Sequence, residues 1–379
     1  MQKRYLFTPG PTPVPPEVLA ATAEPMVHHR GSDFRVVYER CLERLQDVFR
    51  TRAQVLLFAA SGTGAMDSAV ANLTSAGDKV AVVTAGAFGE RWAAICARYG
   101  LDVQRIAYEW GEVPIPDEVG AAVAASGARV VFCTHSETST GVVSDVQALK
   151  AAVGDAVLVV DAISSLGAVP LETDAWGIDV VLSGSQKALM CPPGLAMASV
   201  ADRLWETLPE PRSFYFDWRA TRKAQEQFDA AFTPAVSLIR GLDVALGMLV
   251  DAGLDAAFER HVRLGRAARA GIKAMGLELF SPDDDTAAVV TVARVPDGVD
   301  GTELLRHLRD RHGVTLAPGQ GELKGKIFRI GHIGWFDVFD IAAALAAVEL
   351  SLTELGADIE RGVAVTRAFE AYEQSARVA

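Results

Sequence analysis

The segment Ser183-Gly184-Ser185-Gln186-Lys187 follows the apolar run Val180-Val181-Leu182 and sets a lysine among small residues at the end of an expected strand. A lysine is costly to bury unless its pKa falls or its amine is bonded covalently, and lysines that capture carbonyl groups exploit this. Taken alone, an exposed loop lysine is the simpler reading. Asp161 changes the balance, because it closes the run Val157-Leu158-Val159-Val160. A carboxylate at a sheet edge needs a partner, such as a protonated ring nitrogen or a metal, unless it only caps the next segment. A lysine to hold an aldehyde and an acid to keep a pyridine nitrogen protonated are the two contacts that pyridoxal phosphate chemistry requires. The loop Ser61-Gly62-Thr63-Gly64-Ala65 follows another apolar run and opens a helical pattern, which offers backbone N–H groups and a positive helix end to a phosphate. It has neither the Walker Gly-Lys-Ser/Thr ending nor the full dinucleotide spacing. Phe88, in Ala85-Gly86-Ala87-Phe88-Gly89, could stack on a flat heterocycle, with core packing as the alternative.

Bringing these groups together is work for a parallel sheet. Short runs rich in β-branched residues predict strands over 55–59, 79–84, 103–107, 130–134, 157–161 and 180–183, with helical spacing over 36–50, 88–98, 121–126 and 146–153. Continuously apolar strands alternating with helices predict an α/β large domain whose mostly parallel sheet is covered on both faces. Ligands in such sheets bind at the carboxyl ends of the strands, which is where 61–64, 84–88, 134–141, Asp161 and 183–187 fall. Two long helices follow over 238–252 and 254–274, hinged at Gly253. Then come a strand over 288–292, a helix over 301–311, a short strand around 328–330 and a last helix from Asp337. The expected organisation is an extended arm (1–20), a large domain (21–254) and a smaller C-terminal α+β domain (255–379). Five prolines in the first 16 residues argue for the extended arm.

The chain has 379 residues, half of them hydrophobic and 22% charged, which suits a globular protein of two or three units at roughly 150 residues each. The 48 acidic and 36 basic residues give a net charge of −12, against broad nucleic-acid or anionic-membrane binding. No apolar run approaches the roughly 20 residues of a membrane span. The opening MQKRYLFTPGPTP does not read as a signal peptide, so the expected place is the cytoplasm. Cys41, Cys96, Cys133 and Cys191 lie far apart and read as core thiols in a reducing compartment. The loop Pro282-Asp283-Asp284-Asp285 reads as a solvated turn, and no metal site is expected.

Taken in order, the motifs resemble the class V (fold type I) pyridoxal phosphate-dependent aminotransferases, in particular the alanine–glyoxylate, serine–glyoxylate and serine–pyruvate group. The resemblance starts at Phe7-Thr8-Pro9-Gly10-Pro11-Thr12 and Ser61-Gly62-Thr63-Gly64. It continues through Thr134-His135-Ser136-Glu137-Thr138-Ser139-Thr140-Gly141 and Asp161-Ala162-Ile163-Ser164-Ser165-Leu166-Gly167. Ser183 to Leu189 with Pro192-Pro193-Gly194, and Phe328-Arg329-Ile330-Gly331-His332-Ile333-Gly334, complete it. It implies a homodimer that moves an amino group from a small L-amino acid, alanine or serine, to a 2-oxo acid such as glyoxylate or pyruvate. Lys187 would bond the cofactor aldehyde and shuttle the proton, and Asp161 would pair with the pyridine nitrogen. Phe88 would stack on the ring and Thr138 would hydrogen-bond its phenolic oxygen or nearby atoms. Ser61, Gly62, Thr63 and Gly64, with Gln186, would hold the phosphate. Arg329 would clamp the substrate carboxylate, and Gly10 would let backbone approach the substrate closely.

Two positions depart from the resemblance. Thr233 matches the threonine that completes the phosphate site from the neighbouring subunit, but the tyrosine often found three residues earlier is Ala230 here. Phe88 stands where some relatives have Trp. Arg329 could instead form a structural ion pair. His332 and His135 read as supporting groups, and His28 and His29 as part of an entrance or a subunit contact. The rival enzyme is a pyridoxal phosphate-dependent lyase of the cysteine desulfurase type. Such proteins usually carry His before the lysine and a mobile catalytic Cys, whereas Gln186 precedes Lys187 and Cys191 lies in a Pro-flanked loop. A cofactor-binding regulator would carry an added DNA-binding or partner module, for which the sequence has no candidate.

Overall fold

The computed structural model describes residues 3–376; the outermost ends of the expected arm and small domain, 1–2 and 377–379, lie outside the described residues. At the centre is a seven-stranded sheet: β1 Val55–Ala59, β2 Lys79–Thr84, β3 Asp102–Ala107, β4 Val130–Thr134, β5 Val157–Asp161, β6 Val180–Gly184 and β7 Leu195–Val200. Their spatial order is β1-β7-β6-β5-β4-β2-β3. The run from β6 through β5, β4 and β2 to β3 is parallel. β7 is antiparallel to both its neighbours. This strand was not expected from the sequence, because Leu-Ala-Met-Ala-Ser-Val is poor in β-branched residues; its place comes from burial between β1 and β6.

Alternation along the strands builds two cores, one on each face of the sheet. Val131, Cys133, Leu158, Val160 and Val181 point to one, and Val130, Phe132, Val159, Val180 and Leu182 to the other. Each buried Val, Leu or Phe contributes about 1.5–3 kcal/mol. The helix Ser32–Phe49 packs on the first face, and the helices Gly62–Leu73 and Ala87–Arg98 cover the second, where Trp92 meets Phe132 at 4.7 Å between ring centroids.

A second cluster of elements follows the break at Gly253, whose φ of +83° separates helices Val236–Ala252 and Leu254–Ala274. A three-stranded antiparallel sheet sets Ile327–Gly331 between Val290–Arg294 and Ala317–Pro318. The first of these strands begins two residues later than expected, in the register that puts Val292 opposite Arg329. Helix Val338–Glu354 starts at a capping box, with the Asp337 carboxylate accepting from Phe339 and Asp340 N–H groups. It is not the last helix, since Val363–Ala376 follows and buries Ala364 and Ala368. The acidic loop is more than solvated: Asp283 and Asp285 pair with Arg266, Arg269 and Lys273.

The N-terminal arm crosses between the two halves. Tyr5–Leu6 pairs in parallel with Val314–Thr315, and the Phe7 carbonyl accepts from Gly331 N–H at 2.8 Å. The arm is extended only to Pro15. Helix Pro16–Thr22 begins inside the segment expected to be extended, with Pro16 in the first turn, where its missing N–H is not needed. Among the described residues no helix is long and apolar enough to cross a membrane.

Candidate active site

β6 ends at Gly184, and the turn beyond it is braced by Ser185, whose Oγ donates to the Pro192 carbonyl and accepts from Leu195 N–H. That turn sends Lys187 under the arm. Its Nζ donates to the Pro9 carbonyl at 3.0 Å, while Thr12 Oγ1 donates to the Lys187 carbonyl at 3.0 Å. Burial lowers the Lys187 pKa to about 8; Asp161 opposes this, and Arg329 and Arg91 add to it. Gly10, at φ +143°, closes over the side chain, and a Cβ there would lie 2.4 Å from Lys187 Cδ, Cε and Nζ. The arm backbone at Gly10 thus lies directly against the lysine side chain.

Asp161 closes β5 beside this turn, buried, with Oδ1 accepting from Ile163 N–H at 2.9 Å. That bond is the capping contact, yet among the described residues no lysine, arginine or histidine nitrogen pairs with the carboxylate. Burial raises its pKa to about 7, with Glu137 pushing the same way and the Ile163 bond and Lys187 opposing. Glu137 is a second buried acid. Its Oε2 accepts from Phe88 and Gly89 N–H at 2.9 and 3.0 Å, and Oε1 from Ser139 N–H and Oγ. The helix Ala87–Arg98 has glycine at its N-cap and so lacks a cap of its own; Glu137 supplies it from a different loop, at the positive end of the dipole. Gly86 makes room, since a Cβ there would sit 2.5 Å from Glu137 Cγ.

β1 leads into Ser61 and helix Gly62–Leu73. Gly64 and Ala65 N–H groups bond back to the Ser61 carbonyl, leaving those of Gly62 and Thr63 for a ligand. The Gln186 amide faces the same spot. A Cβ on Gly184 would lie 3.1 Å from Gln186 Oε1 and 3.4 Å from Gly62 N, and Gln186 Oε1 is buried with no hydrogen-bond partner. Arg91 ties the cradle to the ring-stacking candidate: its Nη1 donates to Thr63 Oγ1 at 3.0 Å, and its guanidinium lies 4.7 Å from the centroid of the half-buried Phe88 ring.

Arg329 comes from the strand Ile327–Gly331. Its Nε donates to the Pro318 carbonyl at 2.9 Å and its Nη1 to the Thr138 carbonyl at 2.7 Å, which also brings Thr138 to the site. No carboxylate among the described residues pairs with it, so the structural ion pair weighed for this residue is not found. Burial lowers its pKa to about 10, with Glu137 opposing. A buried, oriented guanidinium without an anion is a receptor for one.

Residues 4–323 match the family described as aminotransferase class-V. The chain belongs to the class-V aminotransferases. It is 42% identical over 365 residues to a protein named soluble hydrogenase, small subunit, of Synechococcus, covering 93% of this chain and 94% of that one. It is 36% identical over 386 residues to the L-aspartate–glyoxylate aminotransferase of Paracoccus denitrificans, covering 99% and 97%. Among solved structures, the ureidoglycine–glyoxylate aminotransferase of Bacillus subtilis superposes with a TM-score of 0.92 at 30% identity, over 98% of this chain and 99% of the other.

Family membership implies pyridoxal phosphate, and the residues of this class-V aminotransferase fit that group. The Gln186 side-chain amide lies at the open cradle with its Oε1 unpartnered, and turned about it would offer its N–H groups to a phosphate, while among the described residues the buried Asp161 pairs with no cation. Thr233 is not brought in: it is exposed, beside Ala230, on a surface that also carries Phe214 and Tyr215. His332 bonds Thr291 Oγ1 and the Ala288 carbonyl, and burial drives its pKa down to about 3, so it is a neutral packing group. His135, likewise buried, is lowered to about 4. Sequence reasoning assigned no role to Glu137, Arg91 or His261. The last accepts Gly334 N–H at 3.0 Å, under the Lys187 carbonyl. Glu137 lay within a motif already quoted, so a buried acid amid Ser and Thr was its available signal.

Proposed function

We propose that the protein is a pyridoxal phosphate-dependent aminotransferase that moves an amino group from a small L-amino acid, alanine or serine, to a 2-oxo acid such as glyoxylate or pyruvate. The observation that carries the reading is one crevice holding a buried lysine amine, an unpaired buried carboxylate and an arginine without an anion. The names of the Paracoccus and Bacillus proteins both contain glyoxylate, which supports that acceptor. The Synechococcus name is not carried over: this crevice is built from lysine, carboxylates and arginine, and the four cysteines are buried with raised thiol pKa values.

Bound pyridoxal phosphate supplies an aldehyde for covalent capture of amines and a protonated ring that draws electrons from a neighbouring carbon. Lys187 would hold the group through its amine and, as a neutral amine, would take up and return the proton of the substrate Cα. A pKa near 8 leaves roughly a quarter of the amine neutral at pH 7.5, against about 0.1% for an ordinary lysine. Asp161 holds the proton on the ring nitrogen. Gly62, Thr63 and Gly64, with Ser61 and Gln186, hold the phosphate. Phe88 would stack on the ring, and Thr138 would hydrogen-bond its phenolic oxygen or nearby atoms. Arg329 receives the substrate carboxylate.

Thr233 serves the phosphate of a partner subunit in a homodimer, a reading supported by its exposed setting beside Phe214 and Tyr215. Cytoplasmic placement belongs to the same reading, supported by four free buried thiols, as does a division of the chain near residue 255, supported by separate hydrophobic clusters. Cys191 gives no support to the desulfurase alternative, since burial raises its thiol to about 12 and its Sγ donates to the Leu238 carbonyl.

Holoenzyme given L-alanine or L-serine and glyoxylate should form glycine and the donor's keto acid in equal amounts. A donor panel yielding no keto acid, or releasing sulfide from cysteine, defeats the proposal. Arg329→Ala should lower kcat/KM by roughly 100-fold or more, mostly through KM, because two charged hydrogen bonds to substrate are lost. An unchanged KM in a variant that still binds cofactor removes Arg329 from the substrate site.

A further inference from the structure

Away from this crevice, two helix ends converge on one carboxylate. Helix Gly301–His312 carries His307 and His312, and Glu354 is the last residue of helix Val338–Glu354. His307 Nε2 lies 2.7 Å and His312 Nε2 2.9 Å from the same Glu354 Oε2. The two rings sit 5.5 Å apart at 65°, and the three donor atoms all lie within 4.8 Å of one another. A five-residue spacing inside a helix turns side chains about 140° apart. Here His312 closes its helix before the left-handed Gly313, and the two imidazoles converge on the same oxygen.

We propose that His307, His312 and Glu354 form a binding site for a zinc-class divalent transition metal. Two imidazole nitrogens and a carboxylate oxygen suit zinc and its neighbours in the first transition row, and not magnesium or calcium, which take oxygen ligands. Bonds of about 2.0–2.2 Å in a tetrahedron set donors roughly 3.3 Å apart. The two histidine–glutamate separations, 2.7 and 2.9 Å, are shorter than this, so a small rotation of the Glu354 side chain opens space for the ion. Both histidines are half-buried and Glu354 is exposed, which leaves a path in and a fourth position for water. Before binding, each Nε2 carries the proton it donates to Glu354; on binding, that proton leaves to water, a neutral ring takes one from water at Nδ1, and the freed Nε2 lone pair goes to the ion. No electron transfer is involved.

The site has a structural reach. The residue after His312 is Gly313, whose carbonyl accepts Tyr5 N–H at 2.8 Å, and Val314–Thr315 pairs with the arm strand. An ion that fastens His312 to Glu354 therefore fastens the support on which the arm is laid, some residues before Pro9 meets Lys187.

Holoenzyme stripped with chelator and dialysed should take up one Zn2+ per chain in titration against a chromophoric chelator. Its Tm should rise with Zn2+ and stay unmoved by Mg2+. Glu354→Gln and the His307→Gln/His312→Gln double variant should each weaken that uptake by about tenfold or more and lose the Tm response. Should the double variant fail to fold, as judged by circular dichroism, Glu354→Gln alone carries the test. Uptake of equal affinity in the folded variants, or wild-type binding weaker than about 100 μM, overturns the proposal and leaves a hydrogen-bonded junction of helix ends.

Discussion

A Lys187→Ala holoenzyme should lose transamination by roughly 10⁴-fold or more, since under the proposed roles it lacks both the covalent anchor and the group that moves the Cα proton. The alternative explanation, that the chain simply unfolds, can be weighed in advance. Removing the buried stem leaves a cavity, which costs about 2–5 kcal/mol in comparable cores. Against this, the wild-type chain folded without cofactor must hold an amine whose pKa has fallen from 10.5 to about 8. The unfolded chain binds that proton more tightly, so below pH 8 the folded state carries a penalty of about 3 kcal/mol. It diminishes as pH rises from 8 towards 10.5. The two terms are of similar size and opposite sign, so the variant should melt close to the wild-type apoprotein near pH 7 and fall below it at pH 10. Turnover by a folded Lys187→Ala protein at even a tenth of the wild-type rate defeats the assignment.

Gly10→Ala should also be damaging, by less than Lys187→Ala, although it adds a single methyl. The new Cβ would sit 2.4 Å from three atoms of Lys187, and the φ of +143° is closed to residues with side chains. Either the arm lifts or the lysine turns away, and a displacement of about 1 Å at reacting atoms costs on the order of 100-fold in rate. Gly77→Ala is the control: its φ is also positive, at +84°, but nothing lies within 4 Å of the added Cβ. It should lose about 1 kcal/mol of stability through backbone strain and keep its kcat. Equal kcat in the Gly10 and Gly77 variants separates the arm from catalysis.

The contrast between these glycines shows what a sequence makes readable. Strands β1, β2, β4 and β5 are legible to the residue, because compact apolar runs bounded by polar or small residues signal buried strands. Lys187 and Asp161 could be read because their chemistry coincides with strand ends, which local pattern reveals. β7 escaped notice since Ala, Met and Ser carry no strand preference of their own, and only neighbours on both sides make it a strand. Glu137 escaped because its role is tertiary: it caps a helix about fifty positions earlier in the chain. Thr233 shows the opposite case, a residue singled out by resemblance that the single chain leaves on the surface.

The arm also fixes when the enzyme can become competent during its synthesis. Tyr5–Leu6 has no strand to join until Val314–Thr315 has been made. A ribosome that has delivered the whole central sheet has thus made a scaffold whose lysine still lacks its cover. Covering the lysine therefore waits on a pairing between segments that lie far apart along the chain.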